Sequence, residues 1–170
     1  MTVPINPAAI DIFLQPGEIY IGDRGTRIRT VLGSCVSITF WHSRLLLGGM
    51  CHYMLPRRGT ARTGAPDGRY ADEALDLIFG EMRAAGTRPR EYQAKLFGGG
   101  RMFAAADGHG ALDIGTRNIE AGRRLLRRHR LEPASAHLAG AGHRSIIFDV
   151  ASGDVWVRHM AEQANLRKAA

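Results

Sequence analysis

TVLGSCVSITFW, residues 30–41, joins the end of one predicted strand to a second, buried strand. Residues 26–32 alternate polar and apolar side chains, which indicates a strand with one buried face. Residues 36–41 form an apolar run typical of a strand that is buried on both faces. A Gly-Ser pair separates the two strands and indicates a tight turn, so Cys35 lies at the start of the second strand.

The rest of the chain combines further strands with two helices. Residues 70–86 place apolar side chains on one helical face and end at a glycine, and residues 115–130 show the same periodicity. The other predicted strands come largely in neighbouring pairs: 18–22, the second half of 43–55, 91–97, 134–140, 145–150 and 155–160. Seven or eight strands with two helices predict a mixed α/β or α+β domain rather than a regular βαβ winding.

The length predicts one domain. A chain of 170 residues is long enough to bury a sizeable core but short for two domains. Residues 1–16 contain three prolines and indicate a loosely held lead-in, and the polar C-terminal segment indicates a second tail. We therefore expect a single domain over 1–170 whose core spans 15–160, with 1–14 and 161–170 peripheral.

Cysteine content and apolar runs bear on the compartment. The chain has two cysteines, too few for a disulfide framework and without the spacing of a zinc site. Its first residues lack the features of a secretory signal, and the apolar stretch at 45–50 is far shorter than the roughly 20 residues that span a membrane. We expect a cytoplasmic protein without membrane insertion, with free thiols and with no metal or organic cofactor.

The net charge of +7 comes mainly from arginine, because lysine occurs only at 95 and 168. Such an excess fits an acidic protein partner, a nucleic acid, or a genome that favours arginine codons. Residues 121–131 form a true arginine cluster, and their interleaved leucines indicate an amphipathic helix with a solvated basic face. The cluster lacks the aromatic side chains of a single-strand binder, so we expect no nucleic-acid partner.

Cys35 is the first candidate for chemistry. A thiol attacks a carbonyl carbon only as the thiolate, so it needs a base or a positive field beside it. The turn formed by Gly33 and Ser34 would expose the thiol and leave backbone N–H groups available to hold an oxyanion. The alternative from the residues alone is a buried cysteine that packs as a small apolar side chain.

His52 is the candidate base. If 36–41 and the segment ending at His52 are strands joined by a turn near 42–47, antiparallel pairing brings the start of one beside the end of the other. Cys35 and His52 then lie together. A histidine among apolar residues is also commonly a satisfied core residue, and the residues leave both interpretations open. Cys51 points to the opposite face of the same strand, where we expect it to pack.

Six motifs follow one another along the chain: TVLGSCVSI, GGMCHYMLP, YADEALDLIFGEM, AKLFGGGRMF, DIGTRNIEAGRRLL and FDVASGDVWVR. Together they closely resemble the CheD family of bacterial chemoreceptor glutamine deamidases, over residues 15–160. The resemblance implies a fold similar to that of the cytotoxic necrotizing factor deamidases, with β-sheets packed together and helices outside.

The resemblance also implies an activity, that of a protein-glutamine glutaminase. CheD-like proteins hydrolyse the side-chain amide of particular glutamines on methyl-accepting chemotaxis receptors and release ammonia. The family's Cys–His pair and supporting Thr correspond to Cys35, His52 and Thr30, so the Thr30 hydroxyl is expected to orient the imidazole. Backbone groups around Gly33 and Ser34 are expected to support the oxyanion, and no cofactor is implied.

Two other functions stay open at this point. The first is a non-catalytic regulatory module that docks onto receptors or onto a CheC-type phosphatase, which some CheD proteins bind. The second is hydrolysis of receptor glutamyl methyl esters, because the same thiolate attacks an ester.

Overall fold

The computed structural model describes residues 8–59, 61–102 and 114–161. Within these ranges the elements are β1 (Ile10–Phe13), β2 (Ile19–Gly22), β3 (Thr26–Leu32), β4 (Val36–His42), β5 (Leu47–Tyr53), α1 (Ala71–Ala84), β6 (Gln93–Gly98), α2 (Ile114–Arg128), β7 (Pro133–Leu138), β8 (His143–Asp149) and β9 (Val155–Met160). A short 3-10 turn, Pro89–Glu91, precedes β6. The mixed α/β class predicted from the sequence is confirmed.

The strands form two sheets that pack face to face. The five-stranded sheet has the order β2-β5-β4-β6-β7, and the four-stranded sheet has the order β1-β3-β8-β9. Both helices pack on the five-stranded sheet, against a cluster that includes Val36, Ile38 and Phe40 of β4. A second cluster, which includes Ile28 and Phe148, fills the space between the two sheets. The layers are therefore helices, five-stranded sheet and four-stranded sheet, as the resemblance implies.

A close approach of the sheets depends on glycine in β5. A Cβ atom at Gly48 would lie 2.7 Å from the ring of Phe148, which belongs to the opposite sheet. A side chain at this position would push the ring away and open the layer between the sheets. Gly48 therefore brings β3 and β8 close to β5, and this spacing positions the site described below.

The hairpin between β4 and β5 has the antiparallel pairing that the sequence predicts. Val36 pairs with Tyr53, and Ser37 pairs with His52. Cys35, which directly precedes β4, therefore lies beside the end of β5 that carries His52. The register alone brings together two residues that are distant in sequence.

The N-terminal segment differs from the prediction of a loose lead-in. Residues 10–13 form β1, which pairs parallel with β3 from Ile10–Thr26 to Phe13–Arg29. Leu14, which follows β1, is only 2% exposed and belongs to the cluster between the sheets. Residues 10–14 are therefore held at the edge of the four-stranded sheet rather than loosely attached. The strand has four residues, too few for local periodicity to reveal, and exists because β3 offers it a partner.

The two helices match their predicted positions. α1 buries one apolar face, and the chain leaves it at Gly86, whose φ of 76° suits glycine. α2 buries its small and apolar side chains and turns its arginines outward, as an amphipathic helix does. In the described part of the chain, neither helix has the length and apolar character needed to cross a membrane.

Candidate active site

Thr30, Cys35 and His52 all face the space between the two sheets. Thr30 lies two residues after Ile28 on β3, and His52 lies two residues after Met50 on β5, so each shares a face with a residue of the cluster between the sheets. Cys35 packs against the same cluster. Thr30 and His52 are buried, whereas Cys35 is partly exposed. The arrangement is a reachable thiol next to two shielded polar side chains.

Two hydrogen bonds fix the protonation of His52. The Thr30 hydroxyl donates to the Leu14 carbonyl oxygen at 2.7 Å, and its oxygen lies 2.9 Å from Nδ1 of His52. Because the hydroxyl has one proton and a carbonyl can only accept, Nδ1–H of His52 is the donor to Oγ1 of Thr30. Neutral His52 therefore carries its lone pair on Nε2.

Nε2 of His52 is buried and has no hydrogen-bond partner among the residues that the structure describes. Burial lowers the pKa of His52 to about 4, and the Leu14 carbonyl and the Glu18 carboxylate oppose this shift. The imidazole is therefore neutral at pH 7 with an unused lone pair. Buried polar atoms are nearly always satisfied, so an unpaired one indicates a group that meets its partner in another state.

The thiol of Cys35 lies diagonally across from His52. Cys35 precedes Ser37 by two residues, and Ser37 is the strand partner of His52, so the two side chains share one face of the sheet. Neither ring nitrogen of His52 makes a hydrogen bond to Sγ of Cys35 within the described ranges. Burial raises the pKa of the thiol, and the backbone N–H of Cys35 opposes that effect. The free protein thus holds a neutral thiol beside a neutral base.

The loop that carries Cys35 is anchored through its carbonyl groups. The N–H groups of Gly99 and Gly100 donate to the carbonyls of Cys35 and Gly33, both at 2.8 Å. The Ser34 carbonyl between them accepts a side-chain hydrogen bond from α2 at 3.0 Å. In a trans peptide the N–H points opposite to the carbonyl, so the N–H groups of Ser34 and Cys35 point away from these anchors.

Glycine is required where β6 meets this loop. Gly98 and Gly99 have φ angles of 114° and 68°, in the region that side chains disfavour. A Cβ atom at Gly98 would lie 2.2 Å from the carbonyl oxygen of Cys35. Three glycines directly after a strand are the signal in the sequence for such a close backbone approach.

Asn118 of α2 joins the two sides of the site. Its Nδ2 donates to the Ser34 carbonyl at 3.0 Å and to the Met54 carbonyl at 2.7 Å, and the residue is fully buried. One amide group thereby ties the loop before β4 to the residue after β5. Sequence reasoning misses this role, and the available signal is a polar residue at a buried position of an amphipathic helix.

Replacing Asn118 by leucine is expected to lower both stability and turnover. Leucine keeps the volume but leaves the Ser34 and Met54 carbonyls without their donor, which costs about 1–3 kcal/mol in the free energy of unfolding. The rate constant kcat for the proposed reaction falls as well, because the Cys35 loop loses its tie to β5. Urea denaturation and turnover assays measure the two effects.

The matched control is Thr87→Val, which removes a buried hydroxyl that donates to the Met82 carbonyl far from Cys35. It is expected to lower stability without changing kcat. If Asn118→Leu and Thr87→Val lose the same stability and also the same fraction of kcat, Asn118 has only a structural role.

Replacing Thr30 by valine is expected to lower kcat by about 10- to 100-fold, because His52 loses the acceptor that orients it. Thr30→Ser keeps the hydroxyl and should retain most of the activity. KM is expected to stay unchanged in both variants, since Thr30 is buried and does not touch substrate. Steady-state kinetics of the two variants provide the test, and a serine variant as impaired as the valine variant would contradict the orienting role.

The second cysteine lies in a different environment. Cys51 is fully buried in the cluster beneath the helices, and burial raises its pKa to about 12. Such a thiol is inert, and packing is the role that the sequence predicts for it. Within the described ranges, no three His, Cys, Asp or Glu side chains lie close enough together to hold a metal ion.

Comparison with known proteins finds relatives that are similar to this chain over most of its length. The model of the family described as "CheD chemotactic sensory transduction" matches residues 54–159. The chain is 51% identical over 147 residues to the "Probable chemoreceptor glutamine deamidase CheD 3" of Dechloromonas aromatica, with 86% of each chain covered. It is 48% identical over 167 residues to the "Probable chemoreceptor glutamine deamidase CheD" of Pseudomonas savastanoi pv. phaseolicola, covering 96% and 92% of the two chains. A relative from Leptospira interrogans is 41% identical over 155 residues, with 87% and 92% covered. The chain therefore belongs to the CheD family.

Proposed function

We propose that this protein hydrolyses the side-chain amides of specific glutamines on methyl-accepting chemotaxis receptors, with Cys35 as nucleophile and His52 as general base. The names of its relatives support the activity. One observation carries the mechanism: the hydrogen bonds from His52 through Thr30 to the Leu14 carbonyl leave the buried Nε2 lone pair unused. A neutral imidazole with a free ring nitrogen beside a reachable thiol is the arrangement that a general base requires.

The first half of the reaction forms a thioester. Nε2 of His52 takes the proton from Sγ of Cys35 as the sulfur attacks the glutamine carboxamide carbon. The N–H groups of Ser34 and Cys35 hold the resulting oxyanion, while the Gly33 and Ser34 carbonyls stay fixed by their donors. Collapse of the tetrahedral intermediate breaks the C–N bond, and His52 returns the proton to the departing nitrogen, which leaves as ammonia.

The second half of the reaction restores the thiol. Nε2 of His52, again neutral, takes a proton from a water molecule that attacks the thioester carbon. The C–S bond breaks, the product is a glutamate side chain, and Cys35 recovers its proton from His52. No other reactant is needed.

The buried surroundings of His52 suit a proton that is held only briefly. Desolvation lowers its pKa to about 4, so the imidazolium passes its proton on readily, and the nearby Glu18 carboxylate favours the charged form during the moment it exists. Thr30 keeps Nδ1 protonated throughout, so only Nε2 exchanges a proton with substrate groups.

The proposal also covers domain organisation, compartment and a second partner. The protein acts as a single domain without a cofactor. It meets the receptors in the cytoplasm, and a CheC-type phosphatase is a second partner. Co-purification of the tagged protein from a chemotactic bacterium, with and without its CheC-type phosphatase, checks the last of these.

The experiment that tests the activity uses a receptor cytoplasmic fragment as substrate. Ammonia release is followed, together with the intact mass of the fragment, which rises at each deamidated glutamine by the difference between an amide and an acid. We expect a mass increase and an equal amount of ammonia. Binding of the fragment without either change would favour the docking module instead, and release of methanol from a methylated fragment would show ester hydrolysis.

A further inference from the structure

Arginines without an ion pair form a continuous row on one surface, beside the helices. Seven arginines line two neighbouring grooves there, and the six that are unpaired among the described residues form what we call the arginine track: Arg57, Arg83, Arg90, Arg117, Arg124 and Arg128. The seventh, Arg88, is paired with Glu91. The groove lined by Arg57, Arg117 and Arg124 has a volume of about 470 Å³. The groove lined by Arg83 and Arg90 has a volume of about 570 Å³. Arg128 lines both grooves, so the track is continuous.

The track is poorly neutralised by the protein itself. Among the described residues, none of its six arginines forms an ion pair, whereas Arg58 and Arg62 near α1 do. Four carboxylates also line the grooves, and two of them, Asp76 and Glu91, are already paired with Arg62 and Arg88. The other two, Asp72 and Glu120, leave a clear excess of positive charge.

The outer side of the four-stranded sheet is closer to neutral among the described residues. Asp11 and Asp149 lie there beside Arg27, Arg29 and Arg158, and Arg27 is paired with Asp149 at 3.3 Å. The positive field also acts on His129 at the end of α2, whose pKa is lowered by burial and by Arg128 and Arg83.

Stabilisation of α2 does not explain the track. Cations near a helix C-terminus interact favourably with the helix dipole, which accounts for arginines in the last turn such as Arg128. Arg117, however, lies in the first turn, where a positive charge opposes the dipole and where none of the described residues is acidic. Its exposed side chain is therefore a feature that folding alone does not favour.

One end of the track adjoins the candidate active site. Arg117 precedes Asn118, which holds the Ser34 carbonyl of the nucleophile loop. Arg57 follows closely after Met54, whose carbonyl Asn118 also holds. Arg128 is eleven residues further along α2, about 16 Å away at 1.5 Å per residue. A protein chain held at the site can therefore extend along the track.

We propose that the arginine track binds an acidic segment of the protein substrate, within about 20 Å of the glutamine that enters the site. The inference rests on the proposed function and names the substrate as one whose glutamine has carboxylates spaced along the same face. Asp72 and Glu120 interrupt the track, so its charge is patterned. A patterned surface suits a protein partner, which can place neutral or basic groups opposite these two, better than a uniform phosphate backbone.

The test reverses charge on the track and compares it with the same change elsewhere. Arg124→Glu/Arg128→Glu is the test variant. Arg29→Glu/Arg158→Glu, on the outer side of the four-stranded sheet, is the control with the same net charge. Affinity for the receptor fragment is measured in a Cys35→Ala background, and kcat/KM is measured in the active protein, both at several salt concentrations.

We expect the track variant to lose about 10- to 100-fold in affinity and in kcat/KM at low salt, with kcat unchanged and with a weaker salt dependence than the parent. The control should remain within about threefold of the parent. Equal effects of the two variants would overturn the inference while leaving the deamidase intact. If the parent protein shows no deamidation but still binds the receptor fragment through the track, the proposed function is overturned and the inference stands. An arbitrary DNA duplex serves as the competing ligand. If it binds more tightly than the receptor fragment, and if the Arg124→Glu/Arg128→Glu variant loses this binding, the track binds nucleic acid and the inference is overturned.

Discussion

The Cys35→Ala protein is expected to leave the glutamines of a receptor fragment intact. Without Sγ the site loses the atom that forms the thioester, and water activated by His52 is a much weaker nucleophile than a thiolate towards an unactivated amide. Removal of a nucleophile in comparable hydrolases costs at least about 10³-fold in kcat. Intact mass measurements of the fragment over time give the rate, and affinity for the fragment should be unchanged.

Cys51→Ala is the matched control for this substitution, because it removes the other thiol of the chain from the opposite face of β5. It is expected to lower stability through loss of packing but to preserve deamidation. Loss of activity in Cys51→Ala with retention in Cys35→Ala would reverse the assignment.

The His52→Gln protein is expected to lose about 10³-fold or more in kcat, because glutamine cannot take the proton from the Cys35 thiol. In the parent protein, kcat/KM should stay level from pH 7 down to about pH 5. It should then fall near the pKa of His52 at about 4, where protonation occupies Nε2. A histidine with the ordinary pKa of 6.5 would lose activity much earlier.

The same pKa has a consequence for stability. The unfolded chain binds a proton on His52 near pH 6.5 and the folded chain only near pH 4, so the stability is full above pH 6.5 and is lost as the pH falls towards 4. The loss amounts to about 3 kcal/mol, at about 1.4 kcal/mol per pH unit. His52→Gln should lack this component of the pH dependence of unfolding.

The control for the histidine is His42→Gln, because His42 is also a buried histidine of the β4–β5 hairpin and packs edge-on against Tyr92. It should retain kcat within about threefold, with any loss seen in stability. If His42→Gln matched His52→Gln in the loss of kcat, the effect would arise from damage to the hairpin.

Local sequence patterns were sufficient for the elements that carry the pair. Alternation in β3, the apolar run of β4 and the turn before Leu47 predict a hairpin, and antiparallel register then places Cys35 beside His52. The helical periodicity of α1 and α2 predicts both helices within a few residues. These features depend on neighbours in the sequence, which is the information that a pattern contains.

The remaining features depend on contacts between distant segments. β1 has too few residues to be recognised and is defined by its pairing with β3. The role of Asn118 comes from carbonyls of Ser34 and Met54 in other elements, and nothing near Asn118 in the sequence indicates them. The Leu14 carbonyl, which determines the tautomer of His52, belongs to a segment predicted to be loose.

Acylation of Cys35 by the receptor glutamine can be detected in the mass of the protein during turnover. An excess of receptor fragment is mixed with the parent protein, the reaction is quenched in acid, and covalent adducts are located by peptide mapping. We expect an adduct at Cys35 whose mass is the sum of the two proteins less one ammonia, appearing before the glutamate product accumulates. Glutamate formation at an undiminished rate in a parallel reaction with Cys35→Ala would contradict it.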